Sequence, residues 1–234
     1  MSDSSNLALD KNNLDTILVL DFGSQYTQLI ARRIRELNVY SEILPWDIST
    51  EKIQALKPKG VILSGGPESV TASNTPRIPE IVFELDIPIL GICYGMQTLA
   101  EQFGGQVSSS KKKEFGHAEI ILEETSLLFD GLTSGSRIDV WMSHGDHVST
   151  LPDQFNILAS TKSSPIAAMQ HIEKPLFALQ FHPEVTHTKQ GNEVLSNFIF
   201  KICKCSAQWK MENLIEQRIL EIKKQVVDQK VLLG

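Results

Sequence analysis

The chain reads as an α/β protein: an open, mainly parallel sheet flanked by helices, with antiparallel strands added in the second half. Three observations predict this. Short apolar runs of β-favouring residues recur through the first half, as strands buried on both faces do. Stretches with helical spacing of apolar residues separate them, so the units are βαβ and the sheet is parallel. From about residue 106 to residue 184 the helical spacing fades, and strand-like pieces follow one another through loops.

The elements follow in order. Thr16-Ile17-Leu18-Val19-Leu20 is a fully buried strand ended by a glycine turn. Tyr26, Leu29, Ile30, Ile34 and Leu37 mark the apolar face of a helix whose polar face carries Arg32, Arg33, Arg35 and Glu36. Residues 40–44 form a strand, 50–56 a short helix, Gly60-Val61-Ile62-Leu63-Ser64 a strand and 77–84 a helix. Ile87-Pro88-Ile89-Leu90 is a strand, followed by a helix through Thr98, Leu99, Ala100 and Phe103. Later strands are expected at 119–122, 138–142 and 177–181, and a closing helix at 193–202. Lys111-Lys112-Lys113 reads as a solvated loop. The chain divides into a polar tail at 1–14, a main domain at 15–206 and, over 207–234, a linker helix and the start of a further domain, whose first strand is read in Val231-Leu232-Leu233-Gly234. The linker is striped by Met211, Leu214, Ile215, Ile219, Ile222 and Val226.

Composition narrows the function. With 234 residues, 41% hydrophobic and 21% charged, the chain can bury a sizeable core. Its net charge of -6 gives no electrostatic footprint for nucleic acid or an anionic membrane. No apolar run approaches the roughly 20 residues a membrane-spanning helix needs. Its 3 cysteines make no disulfide framework and suit a reducing, cytoplasmic setting. Cys203 and Cys205 lack a second ligand pair and read as structural. His117, His144, His147, His171 and His187 form no familiar ligand spacing, so no metal is expected.

The chemistry centres on Cys93, in Gly91-Ile92-Cys93-Tyr94-Gly95-Met96-Gln97 between a buried strand and a helix. That layout is a nucleophile elbow carrying a thiol, and the helix N-terminus favours the thiolate. Gly-x-Cys-x-Gly alone suits a packed thiol equally well. The pairing decides: Phe177-Ala178-Leu179-Gln180-Phe181 delivers His182-Pro183-Glu184, so Cys93, His182 and Glu184 have the parts of an acyl-transfer triad. Asp21, Ser64 and Cys93 all end strands, where open α/β sheets bind ligands. Ser64-Gly65-Gly66-Pro67 supplies backbone N–H groups, and Gly65 or Gly66 could join the Tyr94 amide in an oxyanion hole. Gln97 lies one helical turn beyond Cys93, placing its amide over the nucleophile.

These residues carry a resemblance to the class I, triad-type glutamine amidotransferases, which have a flavodoxin-like fold. Asp21-Phe22-Gly23-Ser24-Gln25-Tyr26, Leu63-Ser64-Gly65-Gly66-Pro67, Glu114-Phe115-Gly116-His117-Ala118 and Trp141-Met142-Ser143-His144-Gly145-Asp146-His147 extend it from about Leu14 onward. They narrow it to the amidotransferase part of the glutamine-hydrolysing GMP synthases. The resemblance implies that L-glutamine is the substrate, that Gln97 contacts it, and that Ser143, His144, Gly145 and Asp146 hold its α-amino and α-carboxylate groups. It implies no cofactor in this domain. Its partner would be an ATP pyrophosphatase (synthetase) domain that uses ATP and Mg²⁺ to adenylylate XMP, within a homodimeric enzyme. The sequence is accordingly expected to stop just before that domain's phosphate loop. The alternatives are an amidotransferase for another acceptor, a free-standing amidase or γ-glutamyl hydrolase, and a regulatory binding module without turnover.

Overall fold

The computed structural model describes residues 14–210 and, beyond them, residues 219, 222, 223, 225 and 226, without the side chains of 110–113. The tail at 1–13 and most of the linker stripe lie outside the described residues. Ile219 and Ile222 are helical and exposed.

The first half alternates strand and helix: β1 (Thr16–Asp21), α1 (Thr27–Glu36), β2 (Tyr40–Pro45), α2 (Thr50–Leu56), β3 (Gly60–Leu63), α3 (Glu80–Glu84), β4 (Ile89–Ile92) and α4 (Tyr94–Gln102). The second half adds β5 (Gln106–Leu122), β6 (Arg137–Thr150), β7 (Phe155–Ser160), β8 (Ala168–His171) and β9 (Leu176–Leu179). The closing helix α5 (Gly191–Ser196) runs into a π-helical turn, Asn197–Ile202.

Among the described residues all strands join one 9-stranded sheet in the order β2-β1-β3-β4-β9-β8-β7-β5-β6. Pairing is parallel from β2 through β4 to β9 and antiparallel across the rest. Alternation along β1 explains why its run is wholly apolar. Ile17 and Val19 enter a core with α1, α5 and the π-helical turn, while Leu18 and Leu20 enter a second core with α2, α3 and α4. Each fully buried Leu or Ile contributes on the order of 1.5–3 kcal/mol, so the parallel strands form a firm floor beneath their carboxyl ends.

The structure differs from the sequence reading in the second half. Residues 111–113 belong to β5, where residues 110–113 oppose only Gly145 in the register between Ser109–Asp146 and Glu114–His144. β5 and β6 extend well beyond the expected 119–122 and 138–142, β7 and β8 have no counterpart among the expected strands, and β9 ends before Gln180. α3 begins at Glu80, because Pro79 can open a helix but not continue one. Among the described residues no helix is long and apolar enough to cross a membrane.

Candidate active site

Cys93 lies between β4 and α4 with φ 54 and ψ -105, a left-handed backbone rare for a residue with a side chain. The flanking glycines make the turn possible. A Cβ on Gly91 would stand 2.7 Å from the Gly95 carbonyl oxygen, and one on Gly95 would stand 2.5 Å from that of Leu63. The Cys93 amide donates to Leu179 O of β9 at 2.7 Å, joining the elbow to the strand that leads to His182.

His182 is buried, and its Nδ1 lies 2.7 Å from Glu184 Oε1, itself buried. The His182 backbone is held on both sides by Trp141. Its N–H donates to Trp141 O, while the Thr188 hydroxyl donates to His182 O at 2.6 Å and accepts from Trp141 N–H. Arg33 Nε donates to Glu184 O at 3.0 Å, and Gly191 lets α5 close on Pro183, whose oxygen would stand 2.0 Å from an added Cβ. Tyr26 packs edge-on against the imidazole with ring centroids 5.1 Å apart. Burial opposes a charged His182, but Glu184 and the hydrogen bond to Cys93 outweigh it and raise its pKa. The proton therefore resides readily on the imidazole, beside the sulfur.

The cavity above Cys93 has a volume of about 540 Å³. Gly65, Gly66, Cys93, Tyr94, Gln97, Ser143, His144, Gly145, Asp146 and His182 all line it, and Glu184 stands behind His182. The segments following Asp21 and Ser64 reach the cavity, but those two side chains turn away from it. Asp21 Oδ1 accepts from Gly23 N–H and the Thr27 hydroxyl, securing the start of α1. Ser64 Oγ accepts from Phe22 N–H and donates to Gly65 O, tying the glycine loop to the β1 end. Tyr94 opens α4, and its own amide, with no intrahelical acceptor, is suited to an oxyanion, whereas the Gly95 N–H donates to Ser64 O.

Ser143, His144, Gly145 and Asp146 project from β6 rather than from a loop. Gln97 Nε2 donates to Asp146 O at 2.7 Å, and Ser69 donates to the Asp146 carboxylate. Burial above all lowers the His144 pKa to about 4; nearby His147 and His182 act the same way, against a bond to the Asp146 backbone. His144 is therefore a neutral ring at pH 7. Its Nε2 lies 3.1 Å from Glu114 Oε2 without hydrogen-bond alignment. Five contributors were not singled out as site residues from sequence: Tyr26, Arg33, Ser69, Thr188 and Gln180. Tyr26 ends a quoted motif, and Gln180 left a positional signal, as a polar residue two places before His182 in an apolar run.

A strained cysteine elbow, a buried His–Glu pair and a glycine loop at the carboxyl ends of a parallel sheet have the arrangement of a thiol-dependent acyl-transfer site. The chain matches the family model for glutamine amidotransferase class-I over residues 18–202 and belongs to that family. It is 53% identical over 224 residues to the GMP synthase [glutamine-hydrolyzing] of Hamiltonella defensa and 54% identical over 224 residues to that of Ectopseudomonas mendocina. Each match takes in 93% of this chain and 43% of the relative, so the chain spans less than half the length of these curated relatives. A Thermoplasma acidophilum structure described as that of a candidate GMP synthase component superposes with a TM-score of 0.71 at 33% identity, covering 90% of this chain and 98% of that one. A Thermotoga maritima glutamine amidotransferase shares the fold, with a TM-score of 0.59 at 21% identity over 91% of this chain and 93% of that one.

Proposed function

We propose that this chain hydrolyses L-glutamine to glutamate and ammonia, and that the ammonia serves ATP-dependent amination of XMP to GMP. The observation that carries the hydrolytic step is the Cys93 elbow beside the buried His182–Glu184 pair, at the floor of a cavity edged by Gly65 and Gly66. The Cys93 thiolate attacks the carboxamide carbon, and the developing oxyanion is met by backbone N–H groups of the glycine loop and Tyr94. As the C–N bond breaks, His182 gives its proton to the leaving amine, which departs as ammonia and leaves a γ-glutamyl thioester. His182 then takes a proton from water, whose oxygen attacks the thioester carbonyl; glutamate leaves and the thiolate is restored. Ser143, His144, Gly145 and Asp146 hold the α-amino and α-carboxylate groups. Gln97 borders the glutamine, with its amide nitrogen already engaged by Asp146 O.

No cofactor enters these steps; ATP and Mg²⁺ belong to the XMP-adenylylating part of the complete enzyme. By family resemblance, that enzyme is a cytoplasmic homodimer. The GMP synthase relatives favour this acceptor over the other amidotransferase readings.

Two measurements test the proposal. His182→Ala is expected to lower kcat by about 10³-fold or more and Glu184→Gln by less, because His182 moves the proton while Glu184 orients the ring. Glutamate release at the parent kcat with only a raised KM in either variant would remove that residue from the triad. For the acceptor, the ATP pyrophosphatase part of a relative is added with XMP, ATP and Mg²⁺. Glutamine-dependent GMP formation and faster glutamate release are expected, through a shift toward the competent arrangement. Demonstrated binding without either effect would assign the ammonia to another acceptor.

A further inference from the structure

Gln180 lies just past β9, fully buried, between the elbow and the substrate wall. Its Nε2 is 3.7 Å from Cys93 Sγ, within hydrogen-bond reach of sulfur, and its Oε1 is 3.4 Å from Gln97 Nε2. Gln97 Nε2 also donates to Asp146 O at 2.7 Å. This last contact fixes the orientation of both amides. A backbone carbonyl can only accept, so Gln97 must present its NH₂ group there. That NH₂ in turn requires the oxygen of Gln180, which leaves the Gln180 NH₂ facing the sulfur. Opposite this donor, and besides His182, the sulfur meets Ser143 O at 3.7 Å, which can accept from a thiol but repels a thiolate. The two contacts thus favour opposite ionisation states.

We propose that Gln180 is a catalytic residue: its side-chain amide donates a hydrogen bond to Cys93 Sγ and stabilises the sulfur as the attacking and departing thiolate. Gln97 and Asp146 O act as positioning groups that hold the amide in the donating orientation. The relay connects the β6 segment proposed to hold the α-groups of glutamine to the nucleophile, so ligand seating and thiolate stabilisation share one chain of contacts. Hydrogen bonds to a charged acceptor exceed neutral ones, and the low dielectric of a buried site strengthens them further. The proposal rests on Cys93 as nucleophile.

The test measures the rate of Cys93 alkylation by iodoacetamide against pH, without glutamine, with the modified peptide identified by mass. Gln180→Leu keeps the volume and removes the donor. Its rate at pH 7 should fall about tenfold while the plateau at high pH stays within twofold of the parent, because only the thiolate fraction changes. Gln180→Glu keeps the shape but offers the sulfur an acceptor, and its loss at pH 7 should be larger. A purely structural role would depress the plateau together with the rate at pH 7. Should neither variant fold, the unsubstituted protein labelled with ¹⁵N gives the answer: the Gln180 side-chain amide resonance should move along the same pH curve as the alkylation rate. Profiles unchanged in a folded variant, a loss shared equally by the plateau, or a pH-insensitive Gln180 resonance would each overturn the proposal. An unreactive Cys93 in the unsubstituted protein would instead overturn the triad on which it rests.

Discussion

Replacing Cys93 with alanine is expected to abolish glutamate release, with a loss in kcat of at least about 10⁴-fold, while the protein remains folded. The nucleophile, the acceptor of its proton and the thioester all depend on this sulfur, and effects within such a unit are not additive. The other thiols cannot take over. Burial pushes the Cys205 thiol up to about 12 and the Cys203 thiol higher still. Cys203 packs against Gly60, where an added Cβ would stand 2.4 Å from its sulfur, so it belongs to the core beneath β3. A glutamine-derived electrophile should therefore label Cys93 alone in the parent and nothing in Cys93→Ala, as read by peptide mass. Substitution should leave the backbone strain in place, since alanine inherits the φ of 54 and its Cβ. Stability close to the parent with activity gone is the expected pair of results; labelling at Cys203 or Cys205 would overturn the assignment.

The parallel half of the fold was legible because its strands are buried on both faces. Ile17 to Leu20, Val61 to Leu63 and Ile89 to Ile92 admit no polar side chain, so the apolar runs and the strands nearly coincide. The antiparallel half obeys weaker constraints. β5 and β6 pair with each other along most of their length, and Phe115 is exposed and Gly116 has φ +102, which hides the alternation a half-buried strand would show. β7 and β8 mix Asn156 and Gln170 among apolar neighbours and are short. Most residues of the cavity could be gathered from motif and spacing, but Glu68, Ser69 and Ser109 could not, nor could the hydrogen-bond partners. A separation of four residues puts Gln97 near Cys93; it does not say that Asp146 O takes the amide. Thr188 left no signal, because its hydroxyl acts across a chain crossing that exists only once β6 and the His182 turn meet.

Gly95→Ala separates two physical arguments of opposite sign. Gly95 lies inside α4, and helix propensity alone would make alanine stabilising there by about 1 kcal/mol. Packing argues the other way. The new Cβ would stand 2.5 Å from Leu63 O, 2.7 Å from Leu63 Cβ and 2.9 Å from Leu63 C, so its chief obstacle is the backbone at the end of β3. Backbone in a parallel strand paired on both sides cannot yield as a flexible side chain can. Relief requires α4 to lift from the sheet, which strains the Gly95 N–H bond to Ser64 O, now 3.1 Å, and moves Gly65 and Gly66 relative to Cys93. Overpacking of this kind costs about 1–3 kcal/mol or more, outweighing the propensity gain. A displacement near 1 Å between nucleophile and oxyanion donors lowers kcat by about 10²-fold. Urea titration should therefore show a lower midpoint than the parent, and the residual folded enzyme should turn over glutamine at least about 10²-fold more slowly. A midpoint at or above the parent value would mean that β3 and α4 are not in contact as described, and that the elbow does not depend on the glycine after Tyr94.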